Sequence, residues 1–569
     1  MYDASGKLPS GVLDGNYVEL GSFDECLNVT TTRLSGKYCL GFLYVKDIEV
    51  VDSHSITGSF NGTHTMHFST CIPSDCTALD VHRISAAMGI YLTIVEDFCQ
   101  TADSQPEFDS LSITATTLFV CIALLMVVSI IYDLYNRFIS NRVPNWVLSS
   151  FSVYINGKWL FTVKHNSKEI ECLHGLRVLS MVAVLSFHSF FALFFHHLRN
   201  EYYLEHWIHQ IQNMWLIKGD YAVDTFLLIS GILVSYTFML KTEKNHKFMV
   251  IYHYLNRYLR LTPSIAALIL FVVGVLKFLG SGPLWPSFHA QIIGPCKEHW
   301  WYNLLYISNY KQGKCLGHTW YLSVDFQLFL ISPIMLILLK RWPKRVLVAT
   351  AFLTACCLAA IFAITWIFEL RTSILFNIRN FSSYLPLYYE CTATKAPCWL
   401  IGFMFGYLLH IAKRDKKMKR KAQSLLIVAV TVCFTCILSV FPTLNPDYSR
   451  IGSSLYLALA TPAFSISIGW IIYCCHTGNG GIINTFLSHS VFKIISNLTY
   501  TIYLVHYPLV IYAQNRIRVP FFADNFGIFV YTIPGTLFLS FLLALLLSLA
   551  IELPVQTFVN VLMKKLHRK

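Results

Sequence analysis

The sequence predicts an all-α polytopic membrane protein of about eleven transmembrane helices, with a small disulfide-rich extracytoplasmic domain at its amino end. Three observations carry that reading. Hydrophobic residues make up 55% of the 569 residues and charged ones only 13%, too apolar a balance for a soluble chain of this size. From residue 111 onward, apolar runs long enough to cross a hydrocarbon core of about 30 Å recur along the chain. The residues before them are polar and carry closely spaced cysteines. The net charge of +13 does not point to nucleic acid, because the basic residues fall in short clusters between the apolar runs, where they read as topology signals.

Residues 1–108 hold Cys26, Cys39, Cys71, Cys76 and Cys99, with glycosylation sequons at Asn28 and Asn61, the pattern of an exported disulfide domain. Five is an odd number, so either one thiol is free or a partner lies outside the segment. Export of a folded segment normally needs a signal peptide and none precedes it, so the sequence is expected to begin inside a longer natural chain. Residues 109–172 read as a first membrane helix and a basic linker, and residues 173–569 as the main transmembrane domain.

Candidate spans lie near 111–132, 176–196, 221–240, 262–280, 319–339, 346–368, 396–412, 423–441, 453–474, 494–513 and 527–551. With the amino-terminal domain outside, the cytoplasmic loops are those holding the basic clusters: Arg137/Arg142/Lys158/Lys164/Lys168, Lys241/Lys244/Lys247/Arg257/Arg260, Lys340/Arg341/Lys344/Arg345, residues 413–421 and the tail Lys564/Lys565/Arg568/Lys569. That is the positive-inside arrangement, with a cytoplasmic carboxyl terminus. The opposite face receives Cys296 and Cys315, and also Cys391 and Cys398, as disulfide candidates in an oxidising compartment. The expected location is a membrane of the secretory pathway, plasma membrane or endoplasmic reticulum.

Ionisable residues inside the spans are the functional candidates, since each costs a few kcal/mol to desolvate even on mild insertion scales. Arg177 and His188 are eleven residues apart, close to three turns, which puts both on one helix face roughly 16 Å apart along the axis. By rise per residue, His188, Asp325 and His506 share one level, roughly 20 Å above the cytoplasmic edge. A histidine beside a carboxylate can serve as general base toward a hydroxyl, so His188 is the expected base and Asp325 or His506 its orienting partner. Asp224 and Ser230 lie on the acceptor side of the same region, and Asp220 is expected as a helix N-cap. Arg257 and Arg260, three apart before Pro263, join Arg177 as a cluster suited to the phosphates of a nucleotide-bearing donor.

Together these segments resemble the nose-resistant-to-fluoxetine-like proteins, whose membrane part belongs to the acyltransferase-3 superfamily. The resemblance rests on DASGKLPSGVLDGNYVELGSFDECL and FSTCIPSDC in the amino-terminal domain. In the membrane part it rests on CLHGLRVLSMVAVLSFH, AVDTFLLISGILVSY, RYLRLTP, CLGHTWYLSVDFQLFLISP and SNLTYTIYLVHYP. It implies a membrane O-acyltransferase that takes an acyl group from acyl-CoA, as a co-substrate, to a hydroxyl of a lipid, glycan or small molecule. Arg177 and His188 match the family's arginine and histidine, and Arg257 and Arg260 its basic pair near the donor phosphates. Asp325 stands where many relatives carry Glu, and Lys395 where relatives commonly carry Arg. Membrane lipids, acyl-CoA and a hydroxyl-bearing acceptor are the expected partners; no metal, permanently bound cofactor or nucleic acid is expected. Members with this amino-terminal domain have been linked to movement of lipids and drugs, which leaves a second reading, a lipid or small-molecule transporter on the same scaffold without chemistry. A third is a receptor acting through residues 1–105.

Overall fold

The computed structural model describes the chain except residues 32–33, 46–63, 90–91, 105, 141–144, 164–168, 196–197, 244–247, 312, 374–380, 413–423, 441–448 and 569. Asn61 and the basic run 413–421 lie outside the described residues.

The amino-terminal domain is built on a sheet that the hydropathy reading does not assign. Strands β1 (Val18–Glu19), β2 (Gly36–Val45), β3 (His64–Pro73) and β4 (Leu92–Thr101) run in the order β1-β3-β2-β4, with β2 antiparallel to both of its neighbours. Helices α1 (Phe23–Asn28) and α2 (Ala78–Ala87) pack on it, and Thr77 and Asp80 close α2 with a capping box. Cys26–Cys71 and Cys39–Cys99 are disulfide-bonded, and Cys76 is the unpaired fifth thiol. In so small a core the two bridges supply constraint that buried area alone does not. Asn28 is exposed at the end of α1.

Every predicted span is mainly helical over its described residues. Nine helices among the described residues are long and apolar enough to cross a membrane; a tenth span is bent by 60°. The remaining candidate is α12 (Ser424–Leu438), whose 15 residues fall short of a full crossing. In order these are α3 (Ser110–Tyr135), α5 (Cys172–Phe191), α7 (Tyr221–Glu243), α8 (Val250–Gly274), α9 (Trp320–Arg341), α10 (Pro343–Ile367), α11 (Thr392–Ala412), α12, α13 (Arg450–His476), the bent pair α14 (Ser490–Ser496) and α15 (Thr499–Asn515), and α16 (Ile533–Leu547). Helix α17 (Leu553–Arg568) continues from α16 through a π-turn. Between α3 and α5 lies the short linker helix α4 (Val153–Phe161), and between α5 and α7 the helix α6 (Glu201–Ile208).

Helix α5 is the centre of the bundle. Its buried residues lie on nearly all sides, and it meets α7, α14, α15 and α16. Helix α3 is peripheral: it touches α8 through Phe119 on Phe271 and through Ala115 against Gly274, and turns most of its surface outward. The closest crossing is α7 on α11. A Cβ on Gly402 would sit 2.1 Å from the Leu228 carbonyl oxygen and one on Gly231 2.2 Å from that of Trp399, so both positions require glycine. Ser235 adds a hydrogen bond to the Phe403 carbonyl at 2.8 Å.

Cys296 and Cys315 are bridged, tying a short helix (Gly294–Leu304) to the turn that starts α9. The proposed pairing of Cys391 with Cys398 is corrected: both thiols are free. Cys398 lies inside α11, seven residues beyond Cys391, and roughly two helical turns separate their backbones by about 10 Å, outside bridging range.

Candidate functional site

At the end of the bundle that carries the basic clusters, α5, α7, α8, α9, α15 and the start of α17 enclose an open cavity of about 750 Å³. Arg177, Arg257 and Arg260 all line it, so the predicted arginine cluster forms. Ser230 and Asp325 line it too. Glu552, which sequence reading missed, closes the cavity beside Arg260 and accepts bonds from Ser548 (3.0 Å) and Gln556 (3.1 Å). It ends the last predicted span, where a lone carboxylate is itself a signal.

Asp325 is not the partner of His188. Its carboxylate forms a salt bridge with the Arg257 guanidinium, which also stacks 4.2 Å from the Phe329 ring centre. The expected shared level of Asp325 with His188 does not bring the two together: Asp325 lies in the arginine-lined cavity, which neither His188 nor His506 lines, and facing around its helix decides its contact. Asp325 turns to α8, toward the cavity, one turn below Tyr321.

His188 meets His506. The two imidazoles approach through Nδ1 of His188 and Nε2 of His506 at 3.0 Å. Nδ1 of His506 lies 2.7 Å from the Tyr503 carbonyl oxygen and 3.3 Å from that of Ile502. A carbonyl can only accept, so Nδ1 of His506 carries a proton. With one proton per ring, Nε2 of His506 is then an acceptor and Nδ1–H of His188 donates to it. This network assigns the free lone pair of His188 to Nε2. His506 thus does for His188 what a carboxylate does in hydrolase triads: it fixes the tautomer and holds the ring. His506 is fully buried, whereas His188 keeps some accessible surface.

A third histidine completes the cluster. His318, in the turn before α9, is buried with its ring 5.3 Å from that of His506 and 4.9 Å from that of Tyr507. Tyr503 donates its hydroxyl to the His318 carbonyl, fixing this turn against α15. Sequence reading passed over His318 because it precedes the apolar run; its spacing of seven from Asp325 was the available signal. Tyr321 and Tyr503 line the cavity, while none of the three histidines does. The two tyrosine rings, 5.6 Å apart, form the layer between the arginines and the histidines.

Asp224 is also elsewhere than expected. It forms a buried ion pair with Lys395 of α11 at 3.0 Å and lines no part of the cavity. Asp220 pairs with Lys218 at 3.0 Å and does not cap α7, so the N-cap expectation is corrected. Both lysines sit against aromatic faces, Lys218 over Tyr221 at 4.7 Å and Lys395 over Tyr389 at 5.1 Å. Two short carboxylates four residues apart at the start of α7 are tolerable because each has its own cation.

Residues 170–552, which include both the arginine cluster and the histidines, match the family described as an acyltransferase domain. The chain belongs to the acyltransferase-3 family. Residues 1–85 match the nose resistant-to-fluoxetine protein N-terminal domain. The chain is similar to nose resistant to fluoxetine protein 6 of Caenorhabditis elegans, at 26% identity over 97% of this chain and 77% of that protein. It is similar to peptidoglycan O-acetyltransferase OatA of Listeria monocytogenes at 22% identity, over 61% of this chain and 50% of that protein. Regulator of hypoxia-inducible factor 1 of Caenorhabditis elegans is 24% identical over 61% of this chain and 70% of its own length. The chain thus spans about half the length of the OatA relative. No solved structure matches. Among acyltransferase-3 members this chain therefore carries its arginines, its histidine pair and its amino-terminal sheet domain on one polypeptide.

Proposed function

We propose that this protein is a membrane O-acyltransferase that moves an acyl group from acyl-CoA to a hydroxyl of a lipid, glycan or small molecule. The observation that carries the reading is the His188–His506 hydrogen bond, which leaves His188 Nε2 as a base inside an apolar bundle. The OatA relatives, whose names state O-acetyl transfer, support the reaction class. The arginine-lined cavity is the donor site, with Arg177 and Arg260 toward the phosphates. The roughly 16 Å rise from Arg177 to His188 is of the order of the arm that separates diphosphate from thioester in coenzyme A.

In the reaction, His188 Nε2 takes the acceptor's hydroxyl proton as that oxygen attacks the thioester carbonyl. The tetrahedral intermediate collapses with cleavage of the C–S bond, and the departing thiolate takes the proton back from His188. His506 stabilises the transient imidazolium through the bond at Nδ1 and holds the ring in line. Tyr321 and Tyr503 must part to let the thioester through. In this reading the basic end faces the cytoplasm, which the positive-inside rule supports, and the opposite side is an oxidising lumen or exterior, which the disulfides support.

Transfer of radiolabelled acyl groups by purified protein tests the proposal. His188→Ala is expected to abolish turnover while acyl-CoA binding and folding persist; unchanged turnover sinks it. One observation favours a second reading, transport without chemistry: the 60° break between α14 and α15 lies beside the site, as broken helices do in transporters. Substrate uptake that persists in His188→Ala and needs no acyl-CoA would select that reading.

A further inference from the structure

A second cavity, of about 860 Å³, opens beside the first at the same end of the bundle. The two share Trp159, Arg177 and Asn497 in their walls, so Arg177 stands at a junction and not at a dead end. The second cavity is lined by Lys158 of α4, Lys493 of α14 and His174 of α5, against one carboxylate, Glu169. Glu169 is shared by Lys493 at 2.8 Å and by the His174 ring at 3.7 Å, and His174 also meets the Ser496 hydroxyl at 2.6 Å. Counting Arg177, three permanent cations face one anion among the described residues of its lining. Trp159, on the shared wall, is 55% exposed. An open cavity with excess positive charge and an accessible aromatic ring has the chemistry of a nucleotide phosphate site: cations for the phosphate, an indole for the base.

We propose that this second cavity binds the adenosine 3′-phosphate end of the coenzyme A donor, with the adenine on Trp159 and the 3′-phosphate between Lys158 and Lys493. The inference rests on the donor reading above and extends it to residues of the linker helix α4 and the bent span. Arg177 then lies between the two halves of the donor. Its position fits the diphosphate, with the pantetheine arm running on into the first cavity toward Tyr321 and Tyr503. Linker helix α4 becomes part of the binding site.

The test compares coenzyme A with 3′-dephospho-coenzyme A, by calorimetry on the full chain in nanodiscs. Wild type is expected to bind coenzyme A about tenfold or more tightly than the dephospho form, the size of one charge-assisted contact. In Lys158→Ala/Lys493→Ala the two ligands should bind alike, with dephospho-coenzyme A affinity unchanged, which also certifies folding. Lys158→Ala alone, which leaves the Glu169 pair intact, should lose part of the preference. Trp159→Ala should weaken both ligands equally, by about fivefold or more. A preference for the 3′-phosphate that survives in the double variant overturns the assignment while leaving the donor reading intact. If neither ligand binds wild type, the donor reading fails with it. Loss of binding of a soluble phosphoinositide in the double variant, with the coenzyme A preference kept, overturns it in favour of a lipid headgroup.

Discussion

His506 has two hydrogen-bonding sides, and each decides something about His188. The carbonyls of Tyr503 and Ile502 take its Nδ1 proton, and the opposite nitrogen is left to accept from His188. The expected outcome of His506→Gln is therefore partial activity, since an amide oxygen can still accept from His188 Nδ1–H. His506→Leu is expected to lower kcat at least about tenfold further, with acyl-CoA binding unchanged. Equal rates for the two variants in a single-turnover assay would remove the orienting role. At a second site, Glu201 packs against Gly15 of the amino-terminal domain, and its burial, with Glu205 nearby, pushes its carboxyl up from 4.5 to about 7. A carboxyl whose packed value exceeds its unfolded one binds its proton more tightly when packed. The contact is therefore at full strength below about pH 4.5 and weakens as the pH rises through 7. Proteolytic release of the amino-terminal domain should accordingly be faster at about pH 7.5 than at about pH 5, and Glu201→Gln should remove that dependence.

At the scale of elements, the crossing of α7 and α11 bears the most strain-sensitive contact. Glycine at 231 and 402 lets the two backbones touch, and that approach brings Asp224 to Lys395. A side chain at Gly402 must push the helices apart and part the ion pair at once. Gly402→Leu is expected to cost about 2 kcal/mol or more, read as a lower midpoint in a thermal melt in detergent. Gly157 and Gly535, which have open space around them, should accept alanine with little change. The break between α14 and α15 has a different consequence. It brings Lys493 and Ser496 of α14 to the basic cavities while α15 carries His506 into the bundle.

In the whole molecule, the amino-terminal domain is docked and not merely tethered. Arg518 grips Asp24 through two nitrogens at 2.8 and 3.1 Å, Tyr17 meets Tyr202 hydroxyl to hydroxyl at 2.7 Å, and Gln100 donates to the Gly282 carbonyl at 3.0 Å. None of these residues lines either basic cavity. Deleting residues 1–105 should therefore leave measurable acyl transfer to a soluble acceptor, as an assay of the truncated protein would show. Complete loss in a folded, correctly inserted truncation would mean that the domain contributes to the site itself.

Hydropathy determined the order of the apolar helices but not the number that cross, since of the eleven candidates nine are long enough among the described residues, one is a bent pair and one is a 15-residue helix. Cysteine usage likewise marked the amino end as a disulfide domain with an odd thiol to account for; it offered Cys296 with Cys315 and Cys391 with Cys398 on equal terms, and only the first pair is bridged. The arginine cluster and His188 with His506 were legible because charged or titratable groups inside apolar runs are few and their heights follow from rise per residue. Tertiary structure decided what height cannot: the rotation of each helix. That rotation sends Asp325 to Arg257, Asp224 to Lys395 and Asp220 to Lys218, and brings His318 in from a turn outside the apolar run. The sheet of the amino-terminal domain was equally hidden, since its pairing depends on contacts between strands far apart in the chain. Only packing assigned each ionisable group its layer and its neighbour, because both depend on how each helix is rotated and seated against the others.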